Sequence, residues 1–296
     1  MQIKQASGSK LLNMYADKKQ IISNQRIARF AIFLILVVLI ISFLYPLFFM
    51  FNNSVKAHTD YLKTPFNLPV GKLEWGNYVT MISQFRIFNL FKNTFIISAL
   101  TIIFILTFGI IASYAFAKLR FRGSNIILFL ILSTMFIPVQ ATIIPIYMLF
   151  SKFHLVNTYW AVIFTYVAVF IPEAILLMTA TFRGIPDEMI EAAEIDGARY
   201  FGILRYIIIP MGRPAIILTI IFYFIVTWND LFTPMVLLRD MEKRTVMVAL
   251  ASLISRYSGD PTFQFAGLVL AAIPAILVYA FFQKYIIKGI SEGSTK

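Results

Sequence analysis

The chain has 296 residues, 59% of them hydrophobic and only 14% charged, with a mean hydropathy of +0.80. Soluble domains average about 45–50% apolar and about 25% charged residues, so this composition excludes a soluble globule and indicates an all-α polytopic membrane protein. The net charge of +12 is not gathered into a patch with interleaved aromatics, which argues against nucleic acid as a partner, and the lack of cysteine excludes disulfides and thiolate metal sites.

Residues 1–27 form a polar tail of mixed charge. The apolar run that follows has no small-residue cleavage signature, so it is expected to stay as the first span. Six apolar stretches, near 28–50, 91–117, 125–149, 159–180, 214–237 and 263–287, are each long enough to cross a bilayer, which takes about 20 helical residues. In lipid each must satisfy its own backbone hydrogen bonds, so each is predicted helical. Pro138, Pro145, Pro172, Pro234 and Pro274 fall inside these stretches, where neighbouring helices accommodate kinks. Segments on the N-terminal side of the membrane hold 16 Lys and Arg, against 10 on the other side. That bias places both termini in the cytoplasm. The connections are too short for independent domains, so residues 28–292 read as one six-span unit, with 293–296 as a tail.

Between the fourth and fifth spans, residues 181–213 break the apolar pattern. Glu188, Glu191, Glu194 and Asp196 place four carboxylates within three turns of a predicted helix. Pro186 suits its first position, and Asp187 and Glu188 complement the positive end of its dipole. Gly197 is placed to end the helix in a left-handed cap, with a second short helix running from about Arg199 to Ile209. Ala192 and Ala193 leave one face almost without side chain, so another protein can approach closely. A cytoplasmic helix–turn–helix of this kind is suited to docking a partner.

Enzyme chemistry finds no support. A phosphate-cradling loop needs glycines followed by Lys and then Ser or Thr, and the one Gly-Lys pair, Gly71-Lys72, is followed by Leu. His58 and His154 have no companions at metal-ligand spacing, and no nucleophile elbow is present. No cofactor is expected in this chain.

The pattern Glu191-Ala192-Ala193, then Gly197, then a hydrophobic run closing in Pro210 resembles the EAA loop of ATP-binding-cassette importer permeases. Further residues resemble the carbohydrate-importing branch that includes the second permease of maltose-type systems. They are Tyr45-Pro46, Asn53-Ser54-Val55-Lys56, Trp75-Gly76-Asn77-Tyr78, Asn93-Thr94, the run from Ser113 to Gly123, Ile144-Pro145-Ile146-Tyr147, Leu155-Val156-Asn157-Thr158, Trp228-Asn229-Asp230 and Gln283-Lys284-Tyr285. The match runs from about residue 30 to 292. Glu173, Thr179, His154 and Leu204 depart from the branch's usual residues.

The resemblance implies half of a translocation pathway for a sugar or oligosaccharide, in the cytoplasmic membrane of a prokaryote. It also implies a second, homologous permease, two ATPase subunits that bind ATP and Mg, and an extracytoplasmic solute-binding protein. Glu188, Glu191, Ala192, Ala193, Asp196, Gly197 and Pro210 are then the candidates for ATPase coupling. Candidates for the substrate pathway are Glu173, Asn229 and Asp230, since ionisable and polar groups inside a bilayer are costly without a use. Trp228, Tyr147 and Tyr166 could supply the rings against which a sugar packs. The alternative is a self-sufficient secondary transporter of a small polar solute, which would show inverted repeats and buried coupling carboxylates.

Overall fold

The computed structural model describes residues 29–69, 72–119, 121–256 and 260–293, which form helices and turns with no strand among them. The expected tail 1–27 and the last residues, 294–296, lie outside the described residues. Among the described residues four helices are long and apolar enough to cross a membrane alone: α1 (Arg29–Ser54), α4 (Ile87–Lys118), α7 (Tyr159–Arg183) and a final helix from Pro261. Two bent pairs bring the number to six if each pair is one span.

The helix α1 leaves the most apolar stretch of its length wholly unburied. Its last two turns are anchored, with Phe49 packed against Phe66 and Phe265 at ring-centroid distances of 5.6 and 5.7 Å. Asn52 donates to Asn67 O at 2.9 Å, and the hydroxyls of Ser54 and Tyr78 share a hydrogen bond of 2.6 Å. Two short helices, α2 (His58–Lys63) and α3 (Gly76–Ser83), lead from there to α4. At 32 residues α4 is about 48 Å long, well beyond the hydrocarbon thickness, so its ends project into the interfaces. It packs along α7 through small residues. Ser113 Oγ donates to Ile175 O at 3.2 Å beside fully buried Ala174, a spacing that lets two backbones approach without lipid between them.

The expected third span, 125–149, is not one helix. Pro138 divides it into α5 (Ser124–Ser133, continued by a 3₁₀ turn to Phe136) and α6 (Val139–Lys152), with a bend of 98° between them. Ile137 is extended because the proline ring excludes the helical region for the residue before it. The expected fifth span, 214–237, is also corrected. After α8 (Asp187–Ile195), the helix α9 (Tyr200–Met211) meets α10 (Arg213–Asn229) at 73°, and the chain then leaves the helix at Asp230 before α11 (Phe232–Leu237). Gly212 sits at the first bend. A Cβ there would lie 2.3 Å from the buried ring of Phe182 and 2.8 Å from Ile208 O, so only glycine lets the bend close on that ring. The second short helix foreseen near Arg199–Ile209 is α9, with a π-helical turn from Leu204 to Ile208 just before Pro210.

The connection between α11 and α12 (Val246–Arg256) is held by side chains of other elements. Asn157 Oδ1 accepts the amides of Arg239 and Asp240, both at 3.0 Å. Asn93 Nδ2 donates to the carbonyls of Glu242 and Arg244, at 2.7 and 3.0 Å, and Thr94 accepts the amide of Val246 at 2.9 Å. The last helix, α13 (Pro261–Gly293), then returns along α10, where Trp228 Nε1 donates to Ala271 O at 3.0 Å. The core, with Met81, Ile105, Met178, Phe182, Ile208 and Tyr223 fully enclosed, runs between α4, α7, α9 and α10.

Candidate coupling helix and translocation cleft

The acidic insert folds as α8, nine residues long and solvent-exposed over most of its surface. Pro186 is extended and precedes the first helical residue, one position earlier than expected; Asp187 and Glu188 do occupy the first turn. At the other end Gly197 has a φ of +84°, Ala198 N donates to Ala193 O at 2.8 Å, and Gly197 N donates to Glu194 O at 3.0 Å. These are the paired hydrogen bonds of a left-handed helix cap. A Cβ on Gly197 would meet nothing within 4 Å, so the demand for glycine is conformational and not steric.

Glu188, Glu191, Ala192, Glu194, Asp196 and Gly197 all face solvent. Ala193 does not share that face. It turns inward and packs, with Ile190 and Ala198, on the central core, because neighbouring helical residues point about 100° apart. The exposed surface continues onto apolar residues that charge-based reading passed over: Ile195 is 87% exposed and Phe201 78%. Apolar exposure of this size beside carboxylates marks an interaction surface. Pro210 is exposed in the turn after the π-helical segment.

One side chain ties α8 to the spans. Lys118, at the end of α4 and 5% exposed, donates to Asp187 Oδ1 at 2.6 Å and to Ile185 O at 2.5 Å. It closes one wall of a cavity of about 850 Å³ that also presents Arg122, Arg183, Glu191 and Glu194.

The pathway candidates divide among three places. Tyr166, Asn229 and Asp230 come together around a cavity of about 290 Å³ where both chain breaks meet. The hydroxyl of Tyr166 donates to Asp230 Oδ2 at 2.8 Å, and the Asp230 carboxylate also accepts the amides of Phe232 and Thr233 at 3.0 and 3.2 Å. Asp230 therefore ends one helix and starts the next. Asn229 is exposed and commits its Nδ2 to Ile225 O at 2.8 Å. Glu173 lies two turns along α7 on the same face as Tyr166. Between them Phe170 stacks on Tyr166 and on Tyr223, with ring centroids 5.6 and 5.2 Å apart, and Tyr223 reaches Glu173 Oε2 at 3.3 Å. Gln140 and Thr233 also line this cavity, and only the bend at Pro138 brings Gln140 alongside.

Trp228 is elsewhere. It is 2% exposed, packed between Phe91 and Phe224, and its expected availability for stacking on a sugar in this cavity does not hold. Tyr147 is also apart, under the Arg239 guanidinium at 5.5 Å, in a separate cavity with His154, Asn157 and Asp240. Among the described residues no group of His, Cys, Asp and Glu could hold a metal ion.

Residues 105–292 match the family described as binding-protein-dependent transport system inner membrane component. The chain belongs to this family of ATP-binding-cassette importer permeases. The permease is 30% identical over 271 residues to the arabinooligosaccharides transport system permease protein AraQ of Bacillus subtilis, covering 90% of this chain and 96% of the relative. It is 30% identical to the diacetylchitobiose uptake system permease protein NgcG of Streptomyces coelicolor, over 84% of this chain and 83% of that one. Among solved structures, a bacterial ABC transporter involved in the import of the acidic polysaccharide alginate has a chain that superposes with a TM-score of 0.78 at 26% identity, covering 88% of this chain and 96% of that one. The matches are to importer permeases, so the secondary-transporter alternative gains nothing from them. The permease is an integral membrane protein, and its family consists of transporter permease subunits, which are non-catalytic in general.

Proposed function

We propose that the permease forms one half of a pathway for a sugar or oligosaccharide, paired with a second homologous permease in a prokaryotic cytoplasmic membrane. Both termini and α8 then face the cytoplasm. Two separate ATPase subunits bind ATP and Mg, and a solute-binding protein outside the membrane delivers the substrate. The observation that carries the substrate class is the cleft at the two broken spans. There hydroxyl, carboxamide and carboxylate groups of Gln140, Asn229, Asp230 and Thr233 stand beside the ring of Phe170. Such a surface offers hydrogen bonds to sugar hydroxyls and an apolar plane for the ring face. Relatives named for arabinooligosaccharides, diacetylchitobiose and melibiose/raffinose/stachyose support the same class.

Coupling follows from α8. Its carboxylates, Ala192 and the capped turn dock on an ATPase, while Lys118 and the inward Ala193 hold it to α4 and the core. Closure of the ATPases then moves α8 and the spans as one body, a rigid-body device. The test uses the assembled, purified complex. Glu173→Leu and Asn229→Leu are expected to lower substrate-stimulated ATP hydrolysis and uptake while leaving assembly with the ATPase unchanged. Unchanged uptake by both variants removes these residues from the pathway, and a shared loss of assembly assigns them a purely structural role.

A further inference from the structure

A long apolar cleft and a cationic pocket on this permease share one residue, Lys92. The cleft, of about 770 Å³, lies between α4, α10 and α13 and is walled by Phe91, Phe95, Phe224, Trp228, Leu277 and Phe281. Among the described residues Lys92 is the single ionisable one on its lining. The pocket, of about 620 Å³, lies where α4 begins and the connection between α11 and α12 passes over it. It gathers Arg86, Lys92 and Arg244 against one carboxylate, Glu242.

Among the described residues none of these three cations forms a salt bridge, and Arg244 Nε is buried without a hydrogen-bond partner. Three unpaired cations around one pocket repel one another, and a buried donor with no acceptor is costly, so the pocket is matched to an anion. The chemistry is thus divided along one axis, cationic at the end of the span and wholly apolar toward its middle.

We propose that this composite site holds an anionic phospholipid, with an acyl chain in the cleft and its phosphate on Arg86, Lys92 and Arg244. A carboxylate from a soluble protein would answer the cations and leave the cleft open. An apolar helix of a neighbouring subunit would fill the cleft and leave the cations unpaired. A phospholipid satisfies both parts at once, and Lys92, with a long apolar stem and a charged head, lines both of them. The inference does not depend on which solute the permease carries.

The assembled transporter, purified in neutral detergent, is mixed with equal amounts of phosphatidylglycerol and phosphatidylcholine of matched chains, and retained lipid is counted by native mass spectrometry. Phosphatidylglycerol is expected to be preferred, and the combined Arg86→Gln, Lys92→Gln and Arg244→Gln variant to lose that preference by about tenfold or more. Leu277→Trp, which fills the cleft and leaves the charges alone, is expected to reduce retention of both lipids. Co-elution with the partner subunits reports on folding; if the triple variant does not assemble, Lys92→Gln alone carries the same test. Equal retention of the two lipids by the wild type, or an unchanged preference in the charge variants, overturns the proposal. So does a Leu277→Trp complex that keeps its lipid but loses its second permease, which would assign the cleft to a neighbouring helix.

Discussion

Lys118 and Asp187, 69 residues apart in the chain, meet at 2.6 Å where α4 ends and the proposed coupling helix α8 begins. The ammonium is nearly enclosed and the carboxylate 65% exposed, so the contact is more a mechanical tie than a large source of stability. The second hydrogen bond, to Ile185 O, anchors the backbone just before Pro186. Lys118→Met removes both links, and coupling energies through such contacts run to roughly 0.5–2 kcal/mol. Uptake is expected to fall several-fold while basal ATP hydrolysis continues, with Lys118→Arg in between. Equal loss of uptake and hydrolysis would instead indicate failed assembly.

Gly197 must hold a positive φ, and nothing crowds its missing side chain. Gly197→Val is therefore expected to cost about 1–2 kcal/mol of local backbone strain and to open the cap. Gly197→Asn, which tolerates the left-handed region, retains most activity. Uptake by the two variants at matched membrane levels checks the difference, and equal activity would show that the cap is dispensable.

Asn93 bridges three elements: its amide holds Glu242 O and Arg244 O, and its Oδ1 accepts the hydroxyl of Tyr159 at 2.7 Å. Asn93→Leu leaves these groups without their partner, at about 1–3 kcal/mol for each one that stays buried. The expected readout is faster backbone hydrogen exchange across residues 239–246, with little change in α8. Tyr159→Phe removes one bond and should show a smaller effect.

Lys56 is buried just past the end of α1, donating to Thr64 O at 2.9 Å and Asn67 O at 2.6 Å. Lys56→Met should loosen residues 57–69, seen as faster exchange there at neutral pH. Burial lowers its pKa from the ordinary 10.5, and the nearby Asp60 charge opposes the shift. Between the folded value and 10.5 the unfolded chain holds more protons, so this residue's contribution to stability rises as pH climbs through that window. Thermal melts of the wild type and Lys56→Met, compared across alkaline pH, should show the trend in the wild type alone.

Hydropathy was enough to mark the four long apolar helices and the acidic insert after α7, because lipid demands long uninterrupted apolar helices and any polar interruption stands out. The cap at Gly197 was equally legible, since few residues adopt positive φ and its spacing from the carboxylates is local. What sequence could not decide was where a span breaks and which face a residue shows. A proline within an apolar run is compatible with a kinked helix or a bend of 98°, and only the packing of α5 and α6 on α7 chose the bend at Pro138. The same limit separated Trp228 from Asn229 and Asp230: neighbours in sequence, Trp228 and Asn229 point about 100° apart on α10, and Asp230 lies just past its end. Ala192 and Ala193 parted for that reason too. The proposed pathway region depends on contacts between Tyr166 and Asp230, 64 residues apart, and between Tyr223 and Glu173, 50 apart. Pairings over such distances belong to the tertiary structure, since no local rule of sequence specifies which helices become neighbours.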